Sequence, residues 1–225
     1  MDLTAFSQLT GLLGDALPLM LKGAVWTLIL AVASIFFGAL IGTLVAVIRL
    51  AKLPVLARAA ALYVSCFRGT PLLVQLFVIY FGLPSIGLQF EPITAGILGL
   101  SLNVGAYLSE TVRGAINGVE VGQWNASRSL GMTQAQTLRY VVGPQALRLA
   151  VPSLSNSLIS LIKDTSLVSV IAVGELMLAT KEVIATTFQP FPLYLAAAAI
   201  YWAMSASFET LQKKLEARLN RSYLR

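Results

Sequence analysis

The sequence predicts an all-helical integral membrane protein in which about five helices cross the bilayer. Three observations predict it. Of its 225 residues 57% are hydrophobic and 12% charged, about half the charge of an ordinary soluble domain. The uncharged runs are Gly23 to Ile48, Gly69 to Phe90, Pro92 to Ser109, Leu149 to Ile162 and Val183 to Phe208. Three reach the roughly 20 residues a spanning helix needs, and the other two do so if a charge is tolerated at one end. The basic residues, finally, fall on one side of the spans. A large soluble helical core would need polar outer faces that these runs lack. The expectation is one membrane domain covering residues 1–225.

In chain order, residues 1–17 read as a short interfacial helix ended near Pro18. No cleavable signal is expected, since the first charge is Asp2 and the apolar run starts late and runs long. Span one follows to Arg49 and carries the small residues Ala31, Gly38, Ala39 and Gly42, which allow helices to approach closely. Span two, Val55 to Leu83, is interrupted by Arg68-Gly69-Thr70-Pro71. Span three runs from Ile93 to Ile116 and span four from Ala146 to Lys163. A stretch from Leu167 to Thr180 reads as a helix that does not cross, and span five covers Phe191 to Leu211 before a basic tail, 212–225. If span one runs inward, Arg49, Lys52, Arg58, Arg113, Arg128, Arg139, Arg148, Lys213, Lys214, Arg218, Arg221 and Arg225 lie inside, leaving only Lys22 and Lys181 outside. The positive-inside rule then puts the N-terminus outside and the C-terminus in the cytoplasm.

The composition excludes several chemistries. With no histidine and only Cys66, the usual zinc, haem and copper sites are ruled out, as is the commonest acid–base catalyst. No GxxxxGK[ST] loop occurs, so nothing cradles a nucleotide phosphate and no ATP or Mg site is expected on this chain. A membrane-embedded hydrolase would have only Ser166 near Lys163 to work with. An ion-coupled carrier acting alone would show internal repeats and more spans, and no repeat is present.

Charged groups within the apolar runs mark candidate sites. Glu110 and Arg113, one turn apart, read as an internal ion pair. At the interruption of span two, Pro71 disfavours helix at Thr70, Gly69 permits unusual dihedrals, and the Arg68 guanidinium could bind a carboxylate in two-pronged fashion. The alternative is that Arg68 sits at the interface bonded to loop carbonyls. At the end of span four, Asp164 could accept an α-ammonium, with Thr165 and Ser166 supplying hydroxyls; the alternative is a plain helix-end cap with Lys163. Asn103, Thr70, Gln75 and Asn156 are the remaining polar groups within spans, and such groups more often bridge helices than bind ligand.

The longest polar interval, residues 119–145, reads as a short amphipathic helix on the water side, with Trp124, Leu130 and Leu138 as an apolar edge and Arg128, Gln134 and Arg139 wet. Gly131 inside such a helix costs about 1 kcal/mol relative to alanine, which suggests a bend or a close backbone approach. Asn125-Ala126-Ser127, then three residues, Gly131, nine residues and Val141 to Pro144 resemble the EAA loop of ABC-importer permeases, in which Glu-Ala-Ala and Ile-x-Leu-Pro hold the same spacing. Asn125 replaces the usual Glu, Ser127 the second Ala, Val141 the Ile and Gly143 the Leu. Further matching stretches are Phe67 to Gln75, Ser101-Leu102-Asn103, Gly122-Gln123-Trp124, Leu154 to Ser157 and Leu161 to Leu167. The likeness covers about residues 18 to 220 and is to the polar amino-acid uptake group, nearest in appearance to cystine-type members.

That resemblance implies a type I importer transmembrane domain in a bacterial cytoplasmic (inner) membrane. Its loop helix, through Trp124, Asn125, Ala126, Ser127, Arg128 and Gly131, would dock on a separate ATPase that holds ATP and Mg. It also implies pairing with a second permease copy or paralogue, through the small residues of span one or through span five. An extracytoplasmic substrate-binding protein would land near Pro84 to Glu91 and Ala179 to Pro190. The pathway would be lined by Arg68, Thr70, Gln75, Asn103, Asp164 and Ser166. Loss of the Glu at Asn125 removes one partly exposed ion pair, worth about 0 to 1 kcal/mol, so docking is weakened and not lost.

Overall fold

The computed structural model describes residues 3–51 and 54–221, with side chains for 10–51 and 54–218; Lys52 and the end of the basic tail with Arg225 lie outside the described residues. Among those residues the chain is helical throughout, with no strand. Helix α1 spans Leu3–Leu50, α2 Pro54–Gly69 and α3 Leu72–Phe77, the last continuing through a π-turn, Val78–Gly82, and a 3₁₀ turn, Leu83–Ile86. Then come α4, Pro92–Asn117; α5, Val121–Ser129; α6, Gln134–Thr137; a second π-turn, Leu138–Val142; and α7, Gly143–Asp164. A 3₁₀ helix, Thr165–Ile171, precedes α8, Leu176–Thr187, and α9, Pro190–Arg221. Proline opens α2, α4 and α9, where its missing N–H would have had no helical partner.

By length and apolarity α1, α4 and α9 each suffice to cross a membrane, and the broken pair α2–α3 makes a fourth crossing if counted as one span. Helix α7, with 22 residues, has the length; its Arg148, Ser153, Ser155, Asn156 and Ser157 make it more polar than the others.

Three expectations are corrected. The interfacial helix ending near Pro18 is absent: α1 runs unbroken for 48 residues with Pro18 inside it. The cost of the proline is met by packing on both sides of it, since Ala16 and Met20 are buried in one apolar cluster. The stretch from Leu167 to Thr180 is not one helix but a 3₁₀ helix and the start of α8, separated at Ala172, which sits at φ 61°. The connection from Ala179 to Pro190 is not a loop either, being helical to Thr187 and turned at Phe188 with φ 54°.

The chain divides into two compact units. One comprises α1 up to Ser34, Pro71–Leu100 and Ile159–Phe208. Its core joins Ala16, Met20 and Ala24 of α1 to Leu176 of α8 and Leu193 and Ala197 of α9. Within it lies Glu175, fully buried. One carboxylate oxygen accepts from Thr27 Oγ1 (3.2 Å) and Tyr201 Oη (2.5 Å), and the other accepts from the Leu178 amide (3.0 Å), capping α8. Thr27 in turn accepts from the Leu176 amide at 3.3 Å. A side chain on Gly23 would meet Leu176 Cα at 2.9 Å, so α1 can approach α8 this closely only with glycine there.

The other unit comprises Ile35–Thr70, Ser101–Leu158 and the chain from Glu209 onward. Here Gly38 and Gly42 of α1 face α4: a Cβ on Gly42 would lie 2.8 Å from the Gly105 carbonyl oxygen and 2.9 Å from Leu108 Cβ. The small residues of span one are therefore used within the chain, at these two positions, and are not left for a second copy. On the other side of α1, Val45 packs with Ala60 and Val64 of α2.

Gly42→Leu should lower thermal stability in detergent by about 1–3 kcal/mol through overpacking, whereas Gly114→Leu, with nothing within 4 Å of its Cβ, should not; equal midpoints would show that the α1–α4 contact is loose. Glu175→Ala should cost more than Glu175→Gln in the same assay, because alanine strands the Thr27, Tyr201 and Leu178 donors, each worth about 1–3 kcal/mol when left unpaired.

Candidate functional site

The candidate residues fall in three separate places: the break in the second span, the end of α7, and the segment 119–145. At the break, Pro71 has no N–H to give the Phe67 carbonyl, its partner four residues back. The Asn103 side-chain amide donates to that oxygen at 3.3 Å. Thr70 Oγ1 donates to the Cys66 carbonyl at 2.8 Å. Both polar groups thus donate to carbonyls beside the break. Tyr63 also ties α2 to α4, its hydroxyl donating to the Leu102 carbonyl at 2.6 Å. Arg68, next to the break, is exposed and holds its guanidinium 5.3 Å from the centre of the Tyr107 ring, a cation–π contact. Gln75 is buried at the start of α3.

Asp164 ends α7, half-buried, with no side-chain hydrogen bond or salt bridge among the described residues. Lys163 beside it is exposed and makes no cap with it. Ser166 is half-buried in the 3₁₀ turn that follows. The serine–lysine contact that does occur is a different one: Lys181 Nζ donates to Ser169 Oγ at 3.0 Å, and that hydroxyl donates to the Ser166 carbonyl at 2.7 Å. Its proton is committed to a carbonyl, so the pair is not arranged as nucleophile and base.

The polar segment folds as helix, stop, helix. In α5, Trp124 packs inward on the cluster of Ala115, Val119, Val142, Ala146 and Ala150, and Ser127 is buried with its Oγ donating to the Gln123 carbonyl. Gln145 Nε2 braces the same helix through Gln123 Oε1 at 3.2 Å. Asn125, Ala126 and Arg128 point to solvent. Leu138 joins the Trp124 cluster as expected, but Leu130 does not; it is 80% exposed because α5 ends one residue before it. Gly131 is likewise not inside a helix. It ends one, at φ 73°, with its amide on the Arg128 carbonyl (2.9 Å) and the Met132 amide on the Ser127 carbonyl (3.1 Å), the paired bonds of a Schellman stop. Nothing lies within 4 Å of a Cβ built there, so backbone conformation, not a close approach, demands the glycine.

Thr133 then starts α6 with a reciprocal capping box to Gln136. The sequence Thr133-Gln134-Ala135-Gln136 carries that signal. The π-turn Leu138–Val142 follows, and a Cβ on Gly143 would sit 2.4 Å from the Leu138 carbonyl oxygen. The glycine in place of the usual Leu is what allows that turn to form.

At the same end of α4, Glu110 and Arg113 pair as expected, at 2.6 Å. Arg49 from the end of α1 joins them through the other carboxylate oxygen. Away from all these, Tyr80, Phe81, Pro84, Gln89, Phe90, Glu91 and Pro92 surround a cleft of about 510 Å³.

Among the described residues the chain thus combines three helices long and apolar enough to cross a membrane, a bent helix pair beside an exposed arginine, and a short polar helix braced by Trp124 and Gln145. Residues 38–221 match the model of the binding-protein-dependent transport system inner membrane component family, and the chain belongs to that family. It is 41% identical over 204 residues (91% of this chain, 90% of the other) to the probable amino-acid ABC transporter permease protein YckA of Bacillus subtilis (strain 168). To the L-cystine transport system permease protein TcyB of the same organism it is 42% identical over 205 residues, 91% and 88% of the two chains. The crystal structure of an amino acid ABC transporter with histidines superimposes with a TM-score of 0.87 at 35% identity, over 97% of this chain and 99% of that one.

Two glycine substitutions test the segment. At Gly131, activity in transport should fall in the order Gly, Asn, Ala, Val, since a left-handed residue other than glycine or asparagine costs about 1–2 kcal/mol; an alanine variant as active as wild type would show that the helix stop is dispensable. Gly143→Ala should impair transport without removing the protein from the membrane, measured by uptake and membrane fractionation.

Proposed function

We propose that this chain forms the translocation pathway for a polar amino acid, cystine or a similar zwitterion, in an importer powered by a separate cytoplasmic ATPase. The observation that carries this reading is the construction of segment 119–145. Trp124 and Ser127 fasten α5 inward while Val121 (71% exposed), Asn125, Ala126, Arg128 and Leu130 are presented outward. Such a firmly held exposed surface suits an element that receives force from another protein. ATP and Mg belong to that partner, consistent with the absence of a phosphate-cradling loop in this sequence. The N-terminus lies outside and the basic tail inside, so the segment faces the ATPase.

The pathway reading rests on Arg68 and Asp164, with Thr70, Gln75 and Ser166 near them in sequence and Asn103 bonded to the Phe67 carbonyl beside Arg68. Arg68 is an accessible cation suited to a carboxylate, and Asp164 is a carboxylate with no side-chain donor, suited to an α-ammonium. Thr70 and Asn103 donate to the Cys66 and Phe67 carbonyls beside the break. The likeness to a permease for L-cystine supports a zwitterionic substrate. A second permease copy or paralogue completes the channel, and a substrate-binding protein delivers from outside onto the cleft at Tyr80 to Pro92.

Reconstitution into liposomes with the ATPase enclosed tests the proposal. Labelled cystine should accumulate only with ATP, and the chain alone should accumulate nothing; uptake by the chain alone under an ion gradient would establish a carrier instead. Asp164→Asn should reduce uptake at least about tenfold, equivalent to ~1.4 kcal/mol, while ATPase co-purification stays unchanged. Unchanged uptake would remove Asp164 from the pathway.

A further inference from the structure

Between α1, α4 and α7 runs a groove of about 330 Å³, lined by Ala39 and Thr43, by Leu108, Val112, Ala115 and Ile116, and by Gly143, Ala146, Leu147, Ala150 and Leu154. That volume is at the low end of ligand clefts. Thr43 is the one hydroxyl among otherwise apolar or small side chains, and both Thr43 and Leu147 are exposed, so the groove opens outward. In a membrane-spanning chain an open apolar trough is filled by something apolar.

What fills it is indicated by the charges nearby. Arg113 follows Val112 directly on α4, and Arg49 lies six residues beyond Thr43 on α1, one residue from the end of that helix. The two guanidiniums share one carboxylate, Glu110, so the cluster carries a net charge of +1. Arg113 keeps 39% of its side chain exposed. Arg113 lies four residues before the end of α4, from which the segment 119–145 emerges, and the shared Glu110 holds Arg49 at the same level, where a lipid phosphate sits relative to its tails. A zwitterionic lipid would bring no net charge.

We propose that this groove is a binding site for an anionic phospholipid, one acyl chain lying along Thr43, Val112, Ala146 and Leu147 and the phosphate meeting Arg113 and Arg49. A guanidinium beside an anionic headgroup is worth about fivefold in binding, so the site should select by headgroup as well as by tail. The inference goes beyond the transport reading and does not depend on which solute is carried.

The full-length chain, purified in mild detergent, can be titrated with phosphatidylglycerol or with phosphatidylcholine of the same acyl length and read by native mass spectrometry. Retained phosphatidylglycerol at about fivefold preference, lost in Arg113→Gln, supports the site. Thr43→Trp and Leu147→Trp, both at exposed positions, should each displace the retained lipid while the number of permease chains in the particle stays constant. Equal retention of the two lipids by the wild-type chain would overturn the proposal. So would retention unaltered in all three variants. Dissociation of a permease pair by Thr43→Trp, with lipid retention intact, would reassign the groove to a contact between copies.

Discussion

Inside hydrocarbon no water is at hand to pair a backbone amide or carbonyl, and every departure from helix must be answered by some other group. This chain can be read as a series of such answers. Pro71 leaves the Phe67 carbonyl without its helical donor, and Asn103 of α4 reaches across to supply one. Thr70 does the same for Cys66 from within its own helix. Where the 3₁₀ helix after α7 turns at Ala172, the chain resumes at Glu175, whose carboxylate takes the Leu178 amide in the first turn of α8. Side chains that look like ligands in a list of polar positions are, at two of these points, repairs to the main chain.

Buried charge is handled in two different ways. Glu175 has no cation among its hydrogen-bond partners: a threonine, a tyrosine and an amide hold it at the meeting of α1, α8 and α9. Burying a carboxyl costs several kcal/mol unless it is well hydrogen-bonded, so this arrangement stabilises one relative placement of those helices and penalises others. Glu110 instead stands between two arginines and remains partly wet. Solvent screening limits its Coulombic gain, and its main effect is to tie the end of α1 to α4.

Much of the architecture was legible in sequence because the membrane leaves few options. Uncharged runs located α4 closely and found α1 and α9 without their outer ends, which extend to Leu3 and Arg221, and the 119–145 segment stood out by polarity alone. Gly131 was noticed correctly and explained wrongly, since a glycine beside helix formers reads equally as an interruption or an end. Pro18 misled for the opposite reason: local propensity said stop, and tertiary packing of Ala16 and Met20 kept the helix going. The Glu110–Arg113 pair was visible as neighbours on one helix face, whereas Arg49 is 61 positions away from Glu110 and nothing local announces it. Glu175 gave no local sign of its partners, which come from 148 and 26 residues away. The π-turns were likewise hidden, because Gly143 looks in sequence like any helix breaker.

One consequence concerns stiffness. Between Val121 and Asp164 only residues 130–133 lie outside a helix, and those four are held at one end by the glycine stop and at the other by the Thr133–Gln136 cap. Compliance along this path is therefore confined to a very short joint. A displacement imposed at α5 has little slack in which to dissipate before it reaches the start of α7, so the segment behaves as a crank rather than a tether.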